Sequence, residues 1–351
     1  MKKHLFPVAL IMSLMLSLPV GAFAQIDREA RIEHSPTSII GFNHIGLSVQ
    51  DLDEMVAFYQ GATGFELVKR EKVSQNGNAS ALMNLDDISF ERVTFRAPGM
   101  LLELTEYANQ QEAQPHVMPP QGPGMTHTCF QSPMWKSGYD KFVQAGVNVL
   151  SRGEQPVNLG GYGVTYAYAH DPEGNMLELE QLSEERLGLD RDWLEKNPMW
   201  MTQVALISSD LGEMVEFYRK VLEIAPNNEG TYTDNPRLDD IVDVDGVALK
   251  ATWFKMDGQH KMLELMQYQH PETPAAVTKK HPTDLGYTFS FEVEDIQQEY
   301  KRMKKLGVDF ISAPKVLGEF WTVYAHDPDG NVFSLRQPTS SASIYSIKNN
   351  K

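Results

Sequence analysis

Cysteine is nearly absent. The one residue, Cys129 in 351, excludes an intramolecular disulfide framework and a thiolate-rich metal centre. Basic residues are also scarce, with 31 Lys+Arg against 47 Asp+Glu and a formal charge of −16. No basic stripe occurs along the chain, so nucleic acid is not expected as a partner. Long apolar runs are confined to the start. Met1-Lys2-Lys3 precede an apolar run from Leu5 to Val20, and Ala22-Phe23-Ala24 places small residues before Gln25. That run falls short of the ~18 residues of a spanning helix and reads as a signal peptide over residues 1–24, cut after Ala24. The mature chain of 327 residues, at formal charge −18, is expected to be secreted or periplasmic and free of membrane spans. What remains is globular in composition, 42% hydrophobic and 10% aromatic.

The chain repeats itself. Asn43 to Leu52 leads into Glu54-Met55-Val56-Ala57-Phe58-Tyr59, and Thr202 to Leu211 leads into Glu213-Met214-Val215-Glu216-Phe217-Tyr218. Leu102-Glu103-Leu104 matches Leu263-Glu264-Leu265, and Tyr168 to Asn175 matches Tyr324 to Asn331. These matches define two copies, residues 40–182 and 199–338, with a charged linker at 183–198 and a polar tail at 339–351 that is expected to fray. Each copy divides again. Alternating strands, a helix capped by Asp51, and a hairpin at Ala97-Pro98-Gly99 recur after Thr126, so a βαβββ unit is used four times. The expected fold is α+β, with curved sheets carrying helices on one face and leaving the other concave.

Polar residues inside those strands mark a site. Glu103 stands between Leu102 and Leu104, and Glu178 between Leu177 and Leu179, so both carboxylates face away from the helices. His44 and His127 alternate in the same sense on the first strand of their half-units. If the two half-units of the first copy pack face to face, His44, Glu103, His127 and Glu178 converge. Two imidazoles and two carboxylates suit one divalent metal per chain, Zn, Ni, Co, Mn or Fe(II), with two positions left open.

The motifs His44-Ile45-Gly46-Leu47-Ser48-Val49 with Phe58-Tyr59, Leu101-Leu102-Glu103-Leu104, His127, and Asp171-Pro172-Glu173-Gly174-Asn175-Met176-Leu177-Glu178-Leu179 resemble those of the vicinal oxygen chelate (VOC) superfamily. That superfamily includes glyoxalase I, methylmalonyl-CoA epimerase, extradiol dioxygenases and bleomycin-resistance proteins. The resemblance implies two tandem VOC domains and carries the metal positions onto His44, Glu103, His127 and Glu178. In the second copy Gln203, Thr288 and Ser334 replace three of the ligands and only Glu264 persists, so that copy reads as degenerate. Some glyoxalases instead exchange half-domains, which here would group Gln203 and Glu264 with His127 and Glu178. The unexchanged site is preferred because it uses both histidines.

The resemblance implies a small-molecule substrate with two vicinal oxygens, and it allows a homodimer. The first functional expectation is an isomerase, epimerase or lyase, in which the metal chelates the substrate, an enediolate is stabilised and Glu178 or Glu103 moves the proton. The second is an Fe(II) extradiol dioxygenase using His44, His127 and Glu178. The third is a non-catalytic binding protein. Tyr166, Tyr168, Cys129, Arg92, Arg96 and the Asp171–Asn175 turn are assigned no chemistry of their own.

Overall fold

A computed structural model describes residues 37–108, 117–257, 261–276 and 278–350; the expected signal peptide lies outside them. The first half-unit runs β1 (Ile39–Ser48), α1 (Leu52–Thr63), β2 (Glu66–Val73), α2 (Gly77–Met83), β3 (Phe90–Ala97) and β4 (Met100–Tyr107). The second runs β5 (Gly124–Pro133), α3 (Gly138–Ala145), β6 (Asn148–Val149), β7 (Val157–Asn158), β8 (Val164–His170) and β9 (Met176–Leu182). Two short helices, α4 (Glu184–Leu187) and α5 (Arg191–Lys196), form the linker. The third half-unit comprises β10 (Trp200–Ile207), α6 (Leu211–Leu222), β11 (Asn228–Tyr232), α7 (Pro236–Val242), β12 (Ala248–Asp257) and β13 (Lys261–His270). The fourth comprises β14 (Gly286–Val293), α8 (Ile296–Lys305), β15 (Asp309–Phe310), β16 (Lys315–Leu317), β17 (Phe320–His326) and β18 (Val332–Pro338). No helix among the described residues is long and apolar enough to cross a membrane.

Local chemistry explains the recurrence. Asp51 and Asp210, at equivalent positions, accept hydrogen bonds from the Glu54 and Glu213 amides and start α1 and α6, each such cap contributing ~1 kcal/mol. Both helices bury one face: Met55, Phe58 and Tyr59 in α1, Met214, Tyr218 and Val221 in α6.

The strands assemble into two nine-stranded sheets. Sheet I has the order β15-β17-β18-β14-β1-β4-β3-β2, and sheet II the order β11-β12-β13-β10-β5-β9-β8-β6, with β16 and β7 attached to β17 and β8. Each sheet therefore combines halves from the two repeats. β1 runs antiparallel to β14, pairing His44 with Ser290, and β10 runs antiparallel to β5, pairing Ala205 with His127. This corrects the expectation that the halves of one repeat face each other.

Those halves do meet, but back to back, through their helices. Phe58 of α1 packs edge-on to Phe142 of α3 at 6.0 Å, and the Tyr59 hydroxyl donates to Asp171 at 2.9 Å. In the second repeat Tyr218 donates likewise to Asp327 at 3.0 Å. One apolar core thus spans the helix-bearing faces of both sheets, from Ile45, Leu47 and Phe130 to Val204, Leu206 and Phe289. Fully burying each such side chain stabilises the fold by roughly 1.5–3 kcal/mol. With the helices shared between them, the two concave faces point away from each other.

The linker helps to set this pairing. Leu187 of α4 and Leu194 of α5 are buried with Leu182, Val164 and Trp200, and Trp193 lies 5.4 Å from Trp200. The chain leaving β9 is folded back onto sheet II and delivers β10 beside β5. The C-terminal tail is a second correction, since it does not fray. Tyr345 and Asn350 are buried; Asn350 Nδ2 donates to the carbonyls of Ala97 and Met100, and Ser346 Oγ donates to Glu292 at 2.8 Å. Its polar side chains satisfy backbone and carboxylate groups that would otherwise be buried without partners.

Candidate functional site

The strand alternation places the predicted residues on concave faces, as the pattern requires, but on two different ones. His44 and Glu103 lie on β1 and β4 of sheet I; His127 and Glu178 lie on β5 and β9 of sheet II. The four do not converge, because the halves that carry them are joined through their convex, helical sides. Among the described residues the groups able to hold a cation are His127 with Glu178 and Glu264, and Cys129 with Glu178 and Glu180.

On sheet II the four central strands each contribute one side chain to a single point: His127, Glu178, Gln203 and Glu264. His127 Nε2 stands 3.5 Å from Glu178 Oε2 and 3.7 Å from Glu264 Oε2. Gln203 Nε2 lies between the carboxylates, donating to Glu264 at 2.8 Å and to Glu178 at 3.2 Å. Behind them Trp253 Nε1 donates to Glu264 Oε1 at 2.8 Å, and Thr126 Oγ1 stands 2.9 Å from His127 Nδ1. The imidazole is completely buried, yet its Nε2 has no hydrogen-bond partner. Burial opposes a charge on His127, but the two carboxylates outweigh it and lift the imidazole to about 9. Burial raises Glu264 as well, and the neighbouring Glu178 adds to it.

This donor set fits a divalent cation. Donors bound at 2.0–2.2 Å to one ion stand about 3–3.5 Å apart, close to the His127–carboxylate separations, and a cation would complete the orphaned Nε2. One imidazole, two carboxylates and an amide suit the borderline to hard ions expected from the sequence. The amide would coordinate through its oxygen, after rotation about its terminal bond.

Sheet I carries the equivalent point with different chemistry. There Glu103 receives a two-pronged bond from Arg336, at 2.7 and 2.8 Å, with Arg92 Nη1 at 3.6 Å and His44 Nε2 at 3.6 Å. Burial opposes ionisation of Glu103, but Arg336, followed by His44 and Arg92, holds it well below the usual carboxylate range. Burial and then Arg336 depress His44 to about 3. A guanidinium occupies the place a cation would take, and Tyr345 from the tail lies against it, 5.5 Å from ring centre to Arg336 Cζ. Glu103 and His44 thus stand apart from His127 and Glu178, and the expectation that all four share one metal, with Glu103 as a proton carrier there, is corrected by the sheet pairing.

Thr288 and Ser334, paired next to Gly46 and Ser290, complete that face without a ligand of their own. Arg336 escaped notice in the sequence although it lies two residues beyond Ser334, on the same alternation. Gln203 and Glu264 stand at the positions of His44 and Glu103 in the second copy, and the half-domain exchange that the sequence left as the second arrangement is the one that joins them to His127 and Glu178. Cys129 is buried beside Glu180, its Sγ 3.8 Å from Oε2. Arg96 pairs with exposed Glu66. The Asp171–Asn175 turn has an architectural part: Asp171 accepts from both the amide and the side chain of Asn175 while it takes the Tyr59 bond.

Residues 41–179 and 200–335 each match the Glyoxalase/Bleomycin resistance protein/Dioxygenase superfamily. The chain belongs to that family. A curated relative, the ethylmalonyl-CoA/methylmalonyl-CoA epimerase of Cereibacter sphaeroides, is 24% identical over 140 residues, 40% of this chain and 96% of the epimerase. Among solved structures, glyoxalase I from Zea mays is 19% identical with a TM-score of 0.55, covering 85% of this chain and 92% of the maize chain. A putative dioxygenase from Bacillus subtilis is 13% identical with a TM-score of 0.54, covering 90% of each chain. At these identities the structural likeness establishes the tandem α+β fold of the family, and the chemistry has to be argued from this chain's own residues.

Proposed function

We propose that this protein is a divalent-metal-dependent isomerase, epimerase or lyase that moves a proton next to a carbonyl, with one site per chain at His127, Glu178, Gln203 and Glu264. The observation that carries the reading is the orphaned His127 Nε2 facing two carboxylates in a fully buried setting. A cation bound there supplies Lewis-acid stabilisation of the negative charge that develops when the proton leaves. The two carboxylates are not equivalent. Glu264 is pinned on both oxygens, by Trp253 and Gln203, whereas Glu178 accepts the longer of the two Gln203 bonds. Glu178 is therefore the carboxylate free to swing and carry the proton, and Glu264 the one that stays in place. Thr126 and Tyr168, whose ring centre is 5.2 Å from that of His127, hold the imidazole in its orientation.

The dioxygenase alternative requires His44, His127 and Glu178 on one metal, and the sheet pairing separates the first from the other two. The binding-protein alternative leaves the clustered carboxylates without a purpose. We further propose that the reaction takes place outside the cytoplasm, on the strength of the N-terminal leader. The test is elemental analysis of the mature protein purified without chelators, followed by NMR of hydroxy-carbonyl compounds in D2O. About one Zn, Ni, Co or Mn per chain and exchange of the carbon-bound proton, lost in Glu178→Gln, are expected. No metal taken up on reconstitution would refute the proposal.

A further inference from the structure

Aromatic and apolar side chains line the concave face beside this centre. Tyr168, Trp253, Met266 and Tyr268 are buried in one cluster there, with Tyr232 packed against it. Among the described residues no arginine or lysine is paired with His127, Glu178, Gln203 or Glu264, in contrast to the two guanidiniums at the equivalent point of sheet I.

Tyr232 closes β11, the strand at the edge of sheet II. Its ring folds back along its own strand over Gly230: a Cβ at 230 would fall 2.8 Å from the Tyr232 hydroxyl and 2.9 Å from Cζ. There it meets Trp253 edge-on, 6.3 Å between ring centres at 89°, and Trp253 in turn donates to Glu264. The missing side chain at 230 is thus what seats the phenol beside the ligand-bearing strands. The hydroxyl is buried and makes no hydrogen bond, so a desolvated donor there is left for a partner to satisfy. Burial together with the Glu264 charge pushes the phenol up to about 12, so it remains a donor across the physiological range.

Resting on the site proposed above, we infer that Tyr232 is a specificity-determining residue whose hydroxyl donates to an oxygen of an uncharged hydroxy-carbonyl substrate with an aromatic or apolar body. A substrate carrying a carboxylate or phosphate tail would meet the carboxylates of Glu178, Glu180 and Glu264, none of which is ion-paired to an arginine or lysine among the described residues.

The test is calorimetric binding to the metal-loaded protein with two probes of similar shape, neutral 2-hydroxyacetophenone and anionic mandelate, alongside elemental analysis. Wild-type protein is expected to bind the neutral probe at least about tenfold more tightly than mandelate. Tyr232→Phe should weaken the neutral probe by roughly 2–12-fold, the range for one net hydrogen bond, with metal content unchanged. Gly230→Val, which displaces the ring, should give a similar loss. Unaltered binding by Tyr232→Phe at full metal content, or mandelate binding as tight as the neutral probe, overturns the inference alone. Absence of metal from the wild-type protein overturns the site proposal and this inference with it.

Discussion

Glu103 and Glu264 occupy the same position in the two repeats, and the structure predicts that they do opposite things. Glu103 is locked to Arg336 by two charge-assisted bonds at 2.7 and 2.8 Å, and both side chains are 3% exposed. Glu103→Gln leaves a buried guanidinium without its carboxylate, and removing one partner of such a pair costs roughly 3–5 kcal/mol. At roughly 2 °C per kcal/mol for a unit of this size, the melting temperature should fall by about 6–10 °C while the metal content stays at one per chain. Glu264→Gln keeps one oxygen to accept from Trp253, lets the Gln203 amide rotate so that its oxygen accepts from the new NH2, and removes a carboxylate that burial already raises, so the metal-free protein should melt within a few degrees of wild type. Its metal affinity, however, should drop by at least about 100-fold, equivalent to ~2.7 kcal/mol. Calorimetric melting of chelator-treated protein and elemental analysis of untreated protein separate the two effects. Loss of metal from Glu103→Gln with an unchanged melting temperature would refute the division of labour between the sheets, as would full metal retention by Glu264→Gln.

His127→Ala should abolish metal retention, whereas His44→Ala and Thr288→Ala should keep it, as elemental analysis of the three variants will show. In the metal-free protein His127 is raised to about 9 from an ordinary 6.5, so its protonated form stabilises the fold fully below pH 6.5 and that contribution is lost as pH rises through about 9; urea titrations of the metal-free protein at pH 6 and pH 9.5 will read this. Because a metal must displace that proton, apparent affinity should rise about tenfold per pH unit between 7 and 8, measurable with a chelator competition series. Tyr345→Ala should destabilise by about 3 kcal/mol, the scale for truncating a buried aromatic, without altering metal content; a Tyr345 variant as stable as wild type would mean that the tail is not holding sheet I closed.

Much was determined by the sequence alone. The period-2 alternation around Glu103, Glu178, His44 and His127 placed each of them on a concave face, since strand geometry admits no other reading once the flanking leucines, isoleucines and valines are buried. The duplication, the βαβββ unit and the capping aspartates were legible for the same reason: they depend on near neighbours in the chain. Which half pairs with which was not. The first strands β1, β5, β10 and β14 carry equivalent patterns, so pairing within a repeat and pairing across repeats satisfy the same local rules. The choice is decided by contacts far apart in sequence: Phe58 and Tyr59 docking on Phe142 and Asp171, and the linker leucines folding under Trp200. That choice turned a four-residue set with two histidines into one with Gln203 and Glu264, and it put Arg336 of the last strand against Glu103 of the fourth. The tail followed the same logic. Its serines and asparagines look like solvent-exposed residues until Glu292 and the carbonyls of Ala97 and Met100 are brought to them. Local pattern fixes which face a side chain takes, and only tertiary pairing decides which side chains share that face.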